Sequence, residues 1–414
     1  MINAINAAGN GLVLPLLVVY LHEMRGLSLA VATSAIAATS LGALVGAPLA
    51  GWASDRFGRV HAVWAALVCA AVGSLGYALC ETPYTALAAG LAQGLGIGGA
   101  ITWNALIADL VPKAHWSVLF SADFAVTNAV MGLGGLIGGL LAGLTHSLVV
   151  FQVLFVLDAV SFLTTGWLVS RELRGGRQAS AGGPGAEPAS ADEEKPSSGY
   201  LGVLRNRWFV GLLLAVFALY TIGYSQLNSG MPAMLLVGSR FGTTQLGVLY
   251  AVNTAAVVTV QFALLGRIRD FTPRIALTLL AGSWAAFWLL ILAVTGLGRG
   301  WFALSVGAAA MVVFAAGESL LAATGPTLVN SWADKSNRGR FNAAYGFASS
   351  LGFTVGPLLS GRLTQGGHGS GMVLGFCLAL ALLGLVLFCT RLLPSTSLSK
   401  LENRPPAAEQ PAEV

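Results

Sequence analysis

The sequence predicts an all-α polytopic membrane protein of about twelve transmembrane helices, arranged as two pseudo-repeats of six. The 414 residues are 56% hydrophobic and only 9% charged, with a mean hydropathy of +0.76. Soluble proteins carry about 25% charged residues, so this composition excludes an ordinary soluble domain. The 53 glycines are typical of membrane helices that approach one another closely.

Twelve apolar stretches are long enough to cross a bilayer, which takes roughly twenty residues. The first six form a predicted N-terminal bundle within residues 1–170, and the other six a C-terminal bundle within 208–392. Residues 171–207 and 393–414 are rich in small and polar residues and cannot bury a core, so we predict a flexible cytoplasmic linker and a disordered cytoplasmic tail. The predicted spans are 4–21, 29–50, 60–80, 84–108, 118–144, 148–170, 208–230, 243–266, 274–296, 301–328, 340–363 and 371–392.

The positions of the basic residues predict the orientation. With the linker and both termini in the cytoplasm, eighteen of the 22 Lys and Arg lie on that side, and only Arg25, Arg240, Arg299 and Arg362 lie outside. This asymmetry follows the positive-inside rule. It also explains the pI of about 9.2 without a nucleic-acid partner. We therefore expect a multi-pass protein of the plasma membrane, surrounded by the lipid bilayer, with both termini cytoplasmic.

Two motifs recur in the two halves. GWASDRFGR (51–59) after the second span has the form G-x-x-x-D-x-x-x-R, which returns in GRIRDFTPR (266–274) after the eighth. GGLIGG (134–139) in the fifth span matches GPLLSG (356–361) in the eleventh. The two pairs are about 215 and 222 residues apart, which indicates a parallel duplication of six helices. In transporters built this way, substrate sites lie near the midplane where the repeats meet.

Two six-helix halves, a cytoplasmic linker and the 51–59 motif between the second and third spans resemble the major facilitator superfamily, over about residues 4–392. The glycine-rich fifth span is most similar to that of the twelve-helix drug:proton antiporters. The resemblance implies a secondary transporter that works by alternating access, uses the proton gradient and needs no cofactor. The family's usual Arg of helix four would fall at Gly90, which lacks a charge.

The resemblance also implies a latch that joins the halves in the outward-facing state. Asp55 would face the amides at 340–342, where the eleventh helix begins, an arrangement that favours an acid. Arg59 would pair with Asp109 at the end of the fourth helix. The alternative is that these charges only fix the orientation of the protein in the membrane. The residues assigned to the latch are Gly51, Asp55, Arg56, Gly58, Arg59 and Asp109.

Three acids lie within predicted spans and are candidates for proton coupling: Asp123, Asp158 and Glu318. A carboxylate at the bilayer centre costs about 2.5–3.5 kcal/mol, so it faces a cavity, pairs or carries a proton. Helix ten lines the cavity in the resembling family, which makes Glu318 a candidate proton carrier. A protonated Glu318 bonded to a neighbouring helix is the alternative. For Asp158 we favour a structural bond between helices, and for Asp123 a capping or gate contact.

Polar side chains at helical spacing are candidates for lining the substrate cavity: Asn6 and Asn10 on the first span, Tyr220, Tyr224 and Asn228 on the seventh, and Asn253 on the eighth. Hydrogen bonds between helices are the alternative explanation. An uncharged cavity with one acid suits a moderately apolar or cationic molecule. A phosphorylated anion would require Arg or Lys in the spans.

The sequence contains no H-E-x-x-H, G-x-S-x-G or Walker-type motif, so we predict that the protein is not an enzyme. The four Cys and five His are scattered, so we expect no metal site. We predict a monomer that exports hydrophobic or cationic small molecules in exchange for protons. Two alternatives stay open: an importer of a sugar or other small nutrient, and a non-transporting membrane sensor.

Overall fold

The computed structural model describes residues 2–99, 116–145, 147–180, 205, 207–239, 241–268, 270–332 and 338–389. Within these residues the chain forms long helices and no strands, which confirms the predicted all-α class. The long helices are α1 Ile2–Val13, α2 Leu29–Phe57, α3 Arg59–Leu79, α4 Pro83–Gly98, α5 Trp116–Thr145, α6 Leu148–Ser180, α7 Arg207–Ile222, α8 Thr243–Ile268, α9 Pro273–Leu297, α10 Trp301–Ser331, α11 Arg338–Gln365 and α12 Gly369–Cys389.

Ten helices in the described residues are long and apolar enough to cross a membrane. The described part of α4 has only 16 residues. The other long helix outside the ten is α11, whose 28 residues include Arg, Asn, Ser and Thr side chains. The predicted spans otherwise match the helices closely.

The first helix of each half becomes irregular toward the same end. After α1 the chain continues as a 3₁₀ turn at Leu14–Leu16, a short helix at Leu17–Val19 and a π-helical turn at Tyr20–Met24. After α7 it continues as a 3₁₀ turn at Tyr224–Leu227, a short helix at Gly230–Met234 and a π-helical turn at Leu235–Ser239. The span predicted at 208–230 is therefore present as Arg207–Leu227, but its α-helix is interrupted after Ile222.

Two helix ends also differ from the prediction. α2 continues into the GWASDRFGR motif and ends at Phe57, and the turn to α3 is the single residue Gly58, with φ of +87°. That positive φ is accessible to glycine at little cost. α6 continues to Ser180, across residues 171–180 that we assigned to the linker. The added residues include Arg, Glu, Leu and Gln, which favour extension of an existing helix.

Helix pairing is repeated between the halves. In the first half α2 packs against α4, α3 against α4 and α6, and α1 against α5. The equivalent pairs in the second half are α8 with α10, α9 with α10 and α12, and α7 with α11. The same four packing relations therefore occur six helices apart, as expected for a duplication.

The halves meet along two seams, α5 with α8 and α2 with α11. A Cβ added to Gly139 of α5 would stand 2.7 Å from a backbone atom of α8, and one added to Gly361 of α11 would overlap the Thr33 hydroxyl of α2. Gln365 Oε1 accepts a 3.0 Å hydrogen bond from the Ala30 amide across the same seam. These contacts lie toward the face opposite the 51–59 motif, so they close the face predicted to be extracellular.

Candidate functional site

A buried carboxyl group lies at the centre of the second half, on the middle turns of α10. Glu318 Oε1 accepts a 2.7 Å hydrogen bond from the Tyr224 hydroxyl, whereas the buried Oε2 has no hydrogen-bond partner. The Asn253 side chain of α8 also lies against the carboxyl, although its Nδ2 makes no hydrogen bond of standard geometry. Three residues singled out in the sequence therefore come together as one site, which we call the Glu318 site.

Aromatic rings form one wall of the Glu318 site. The Tyr220 ring lies 5.4 Å from that of Tyr224 and 5.1 Å from that of Phe353, both in edge-on geometry. Trp284 stacks on Tyr224 at 5.8 Å. Tyr220, Tyr224, Phe353 and Glu318 each keep part of their surface accessible even though all four lie mid-way along their spans. The rings and the acid therefore form one partly accessible cluster.

Two glycines allow α7 and α10 to approach the Trp284 indole of α9 closely. Gly223 ends α7, and a Cβ there would lie 2.6 Å from Trp284 Cζ3. Gly317 precedes the acid on α10, and its Cβ would lie 2.5 Å from Trp284 Nε1. Both close approaches require a residue without a side chain. Local sequence therefore brings α7, α9 and α10 together around the Trp284 indole and sets the position of Glu318.

The helices around Glu318 carry their bases only near their ends, as with Arg207 on α7, Arg274 on α9 and Arg362 on α11. Among the described residues of these helices, no basic side chain therefore lies at the depth of the carboxyl in the membrane. Buried charges are normally paired. This group can be neutral when it holds a proton, or ionised when a cationic molecule lies beside it.

A second buried acid lies in the first half. Asp158 of α6 has no exposed surface. Its Oδ2 accepts a hydrogen bond from the Ser74 hydroxyl of α3, and Gln93 Nε2 of α4 lies 3.5 Å from the same oxygen. Asp158 Oδ1 is buried without a hydrogen-bond partner. Sequence reasoning identified Asp158 but missed Ser74 and Gln93. An amide within a glycine-rich span was the one available signal.

The two candidate asparagines lie in a different place from the Glu318 site. Asn10 Nδ2 donates to Asn6 Oδ1 at 3.2 Å, and both line a cavity of about 280 Å³. The lining residues come from α1, α3, α4, α5 and α6 and from the turn at Gly99. The predicted cavity residues are therefore divided between two places, and Asn228 ends the 3₁₀ turn after α7, half-buried.

Half of the six latch residues lie wholly or by their side chains outside the described residues. These are Asp109 and the side chains of Asp55 and Arg59. The side chain of Asp123 on α5, a candidate for proton coupling, also lies outside the described residues. The proposed pairs therefore stay predictions. Arg56 is exposed, with its guanidinium 6.0 Å from the Phe57 ring centroid. A Cβ added to Gly51 would meet no atom within 4 Å, whereas Gly58 has the positive φ described above.

Sequence comparison identifies the family to which this arrangement belongs. The profile of the Major Facilitator Superfamily matches residues 1–315 and 286–413. The chain belongs to the major facilitator superfamily. A relative from this family, the uncharacterized MFS-type transporter YqjV of Bacillus subtilis (strain 168), is 24% identical over 357 residues, or 84% of this chain and 81% of the relative.

Solved transporters share the fold. The nucleoside transporter NupG superposes with a TM-score of 0.71 at 13% identity, covering 94% of this chain and 98% of that one. A POT family transporter in complex with a thioalcohol conjugated peptide gives 0.72 at 14% identity, covering 93% of each chain. The family and the apolar helices together make this protein a multi-pass membrane transporter.

Proposed function

We propose that the protein exports hydrophobic or cationic small molecules in exchange for protons, and that Glu318 carries the proton. The observation that supports this proposal most is an acid at the centre of α10 with a donor on Oε1 and no partner on Oε2. A proton on Oε2 removes the charge that the surrounding apolar helices disfavour. Loss of that proton leaves a negative charge on the carboxyl with only the Tyr224 hydroxyl bonded to it.

The two charge states give the site two different preferences. The neutral site favours apolar surroundings, whereas the ionised site favours a cationic partner or contact with water. A substrate and a proton that stabilise different facings of the transporter are sufficient to couple their movements. One residue can therefore exchange a proton for a substrate without a second energy source.

The aromatic wall supports the choice of substrate. Tyr220, Tyr224 and Phe353 offer flat apolar surface beside the Glu318 carboxyl, and aromatic faces attract cations by about 0.5–2 kcal/mol. Flat molecules with a delocalised or amine-borne positive charge match both features. The nucleosides and peptides in the descriptions of the similar structures belong to those proteins.

The experiment compares Glu318→Gln with the wild-type protein in liposomes that carry an imposed pH gradient and a fluorescent organic cation such as ethidium. The variant keeps the shape and hydrogen-bonding capacity of the side chain but cannot release a proton. We expect gradient-driven transport to fall to background while exchange of labelled for unlabelled cation at equal pH continues. Glu81→Gln, in an exposed loop outside the spans, is the matched control and should transport normally.

Three outcomes contradict the proposal. Full gradient-driven transport by Glu318→Gln means that another group carries the proton. Uptake of a sugar or other nutrient by cells that express the protein, with no flux of any cation tested, favours the importer instead. Absence of flux for every compound in both assays favours the sensor.

A further inference from the structure

We propose that Asp158 is a second proton-binding site, located entirely within the first half and covered by α1. The role of this site in transport rests on the proposed proton-coupled function. Its geometry is independent of the Glu318 site, because Asp158 contacts helices of the first half. The ligand is the proton itself, bound at Asp158 Oδ1.

The two carboxyl oxygens of Asp158 have different surroundings. Oδ2 is held by the Ser74 hydroxyl and approached by Gln93 Nε2, so it has the environment of a hydrogen-bond acceptor. Oδ1 is buried and has no donor. A proton on Oδ1 removes the charge from the oxygen that has no donor, while Oδ2, as the carbonyl oxygen, keeps its role as acceptor.

Glycine contacts enclose the acid too closely for a metal ion. A Cβ on Gly9 of α1 would stand 2.8 Å from Asp158 Oδ1 and would overlap the Ser161 hydroxyl. On the other side, a Cβ on Gly73 of α3 would stand 2.5 Å from Gln93 Cα. A hard cation needs about six oxygen ligands at 2.0–2.6 Å. One carboxylate with two hydroxyls and an amide, packed without space between them, fits a proton and does not fit a metal.

Among the described residues, no other charged group contacts Asp158 from the helices packed against it. α1 presents Gly9, α3 presents Ser74, α4 presents Gln93, and α6 itself presents Ser161, whose hydroxyl donates to the Asp158 backbone carbonyl at 2.7 Å. The nearest further titratable residue on α3 is Tyr77, whose hydroxyl is bonded to Thr39 of α2. A change of charge in this region is therefore a change at Asp158.

A route for the proton lies along α6. Thr165 is seven residues, or about two helical turns, beyond Asp158, and it lines the 280 Å³ cavity with Asn6 and Asn10. Its hydroxyl is buried and has no hydrogen-bond partner. The cavity has the volume of about nine water molecules at ~30 Å³ each.

α1 separates the acid from this cavity. Gly9 covers Asp158, while Asn6 and Asn10 on the same helix line the cavity. A small displacement of α1 would expose Oδ1 to the cavity. The O–H bond of the neutral carboxyl then breaks, the electron pair stays on Oδ1, and the proton leaves on a water molecule. The reverse step restores the neutral acid under Gly9.

The experiment follows protonated carboxyl groups by infrared difference spectroscopy of the purified full-length protein in lipid, stepped between high and low pH. No transported substrate is needed. We expect two carbonyl bands of protonated carboxyl groups in the wild type, loss of one in Asp158→Asn, and loss of the other in Glu318→Gln. Exposed Asp270→Asn should keep both. A difference spectrum of Asp158→Asn identical to that of the wild type would overturn the proposal.

A second variant tests the site if Asp158→Asn does not fold. Ser74→Ala keeps the acid but removes the donor to Oδ2. Because that donor stabilises the ionised form most, its loss favours the protonated form, and the proton affinity of the Asp158 carboxyl should rise about tenfold or more. An unchanged affinity contradicts the proposal. The outcomes for the two sites can be told apart. If Glu318→Gln loses both bands, neither band belongs to Asp158 and only the second-site proposal fails. If Glu318→Gln loses neither band, Glu318 is not the proton carrier.

Discussion

The seam between α5 and α8 provides a direct test of what holds the predicted outer face closed. At Gly139 an added Cβ would stand 2.7 Å from Gly247 Cα and 2.8 Å from the Thr243 carbonyl oxygen. Both neighbours are backbone atoms, so no rotation of a side chain can relieve the overlap. Gly139→Ala therefore requires the two helices to separate.

The size of the effect follows from the geometry. Ordinary contact begins near 3.4 Å, so the 2.7 Å separation must increase by about 0.7 Å. Overpacking by one methyl group typically costs about 1–3 kcal/mol. If that cost falls on the closed conformation alone, the balance between closed and open outer faces changes about 5- to 150-fold. The protein should consequently spend more time with the outer face open.

The assay measures distances between spin labels by pulsed electron paramagnetic resonance in a cysteine-free background. Labels at Glu81 and Arg299, which are both exposed, report on the predicted outer face. Labels at His61 and Asp270, also exposed, report on the opposite face. Gly139→Ala should lengthen the first distance and shorten the second. Gly375→Ala on α12, whose Cβ meets no atom within 4 Å, is the matched control.

Unchanged distances at both faces in a folded Gly139→Ala protein would refute this reasoning. The seam would then be able to adjust without a change of facing. An increase at the outer face alone would show that the two faces open independently, which contradicts a rigid movement of the halves.

Two further substitutions test individual contacts. Tyr224→Phe removes the 2.7 Å hydrogen bond to Glu318, worth about 1.5–3 kcal/mol to the ionised acid, so the pH profile of transport should move upward by about one to two pH units. Exposed Tyr84→Phe should leave the profile in place. Gly58→Ala places a side chain at φ of +87° and ψ of 150° and should lower stability by about 1–3 kcal/mol, whereas Gly51→Ala, inside α2 with open space around it, should not destabilise the protein. A heat-denaturation series in detergent measures both glycine variants, and equal loss at the two positions would contradict the conformational argument.

Hydropathy was sufficient to place most spans, because a bilayer requires long apolar stretches wherever they occur. It was also sufficient to single out Glu318 and Asp158, since an acid stands out in an apolar span. The partners of Asp158 were not predictable in the same way. Ser74 and Gln93 resemble many small polar residues in the spans, and only the packing of α3 and α4 on α6 gives them a role.

The irregular part of helix seven was also not predictable from the sequence, because it depends on packing between helices. Equal spacing of Tyr220, Tyr224 and Asn228 predicted one face of a continuous α-helix. The helix ends at Ile222, because Gly223 adapts to the Trp284 indole of another helix. Glycines are too frequent in this chain for one of them to signal a break. Tyr224 nevertheless reaches the expected neighbourhood, because the 3₁₀ turn keeps its ring beside that of Tyr220.

The low hydropathy of α11 has a consequence for how the protein is made. α11 is one of the two long helices outside the ten that qualify as spans by themselves, and α12, the most apolar of the ten, follows it after a short turn. A segment that carries polar groups partitions poorly into lipid during synthesis. The insertion of α11 therefore depends on neighbouring helices. We expect α11 to stay at the translocon until α12 anchors the hairpin in the bilayer and α2 and α7 pack against it. Truncation before α12 should leave α11 outside the bilayer even though every residue of the helix is present.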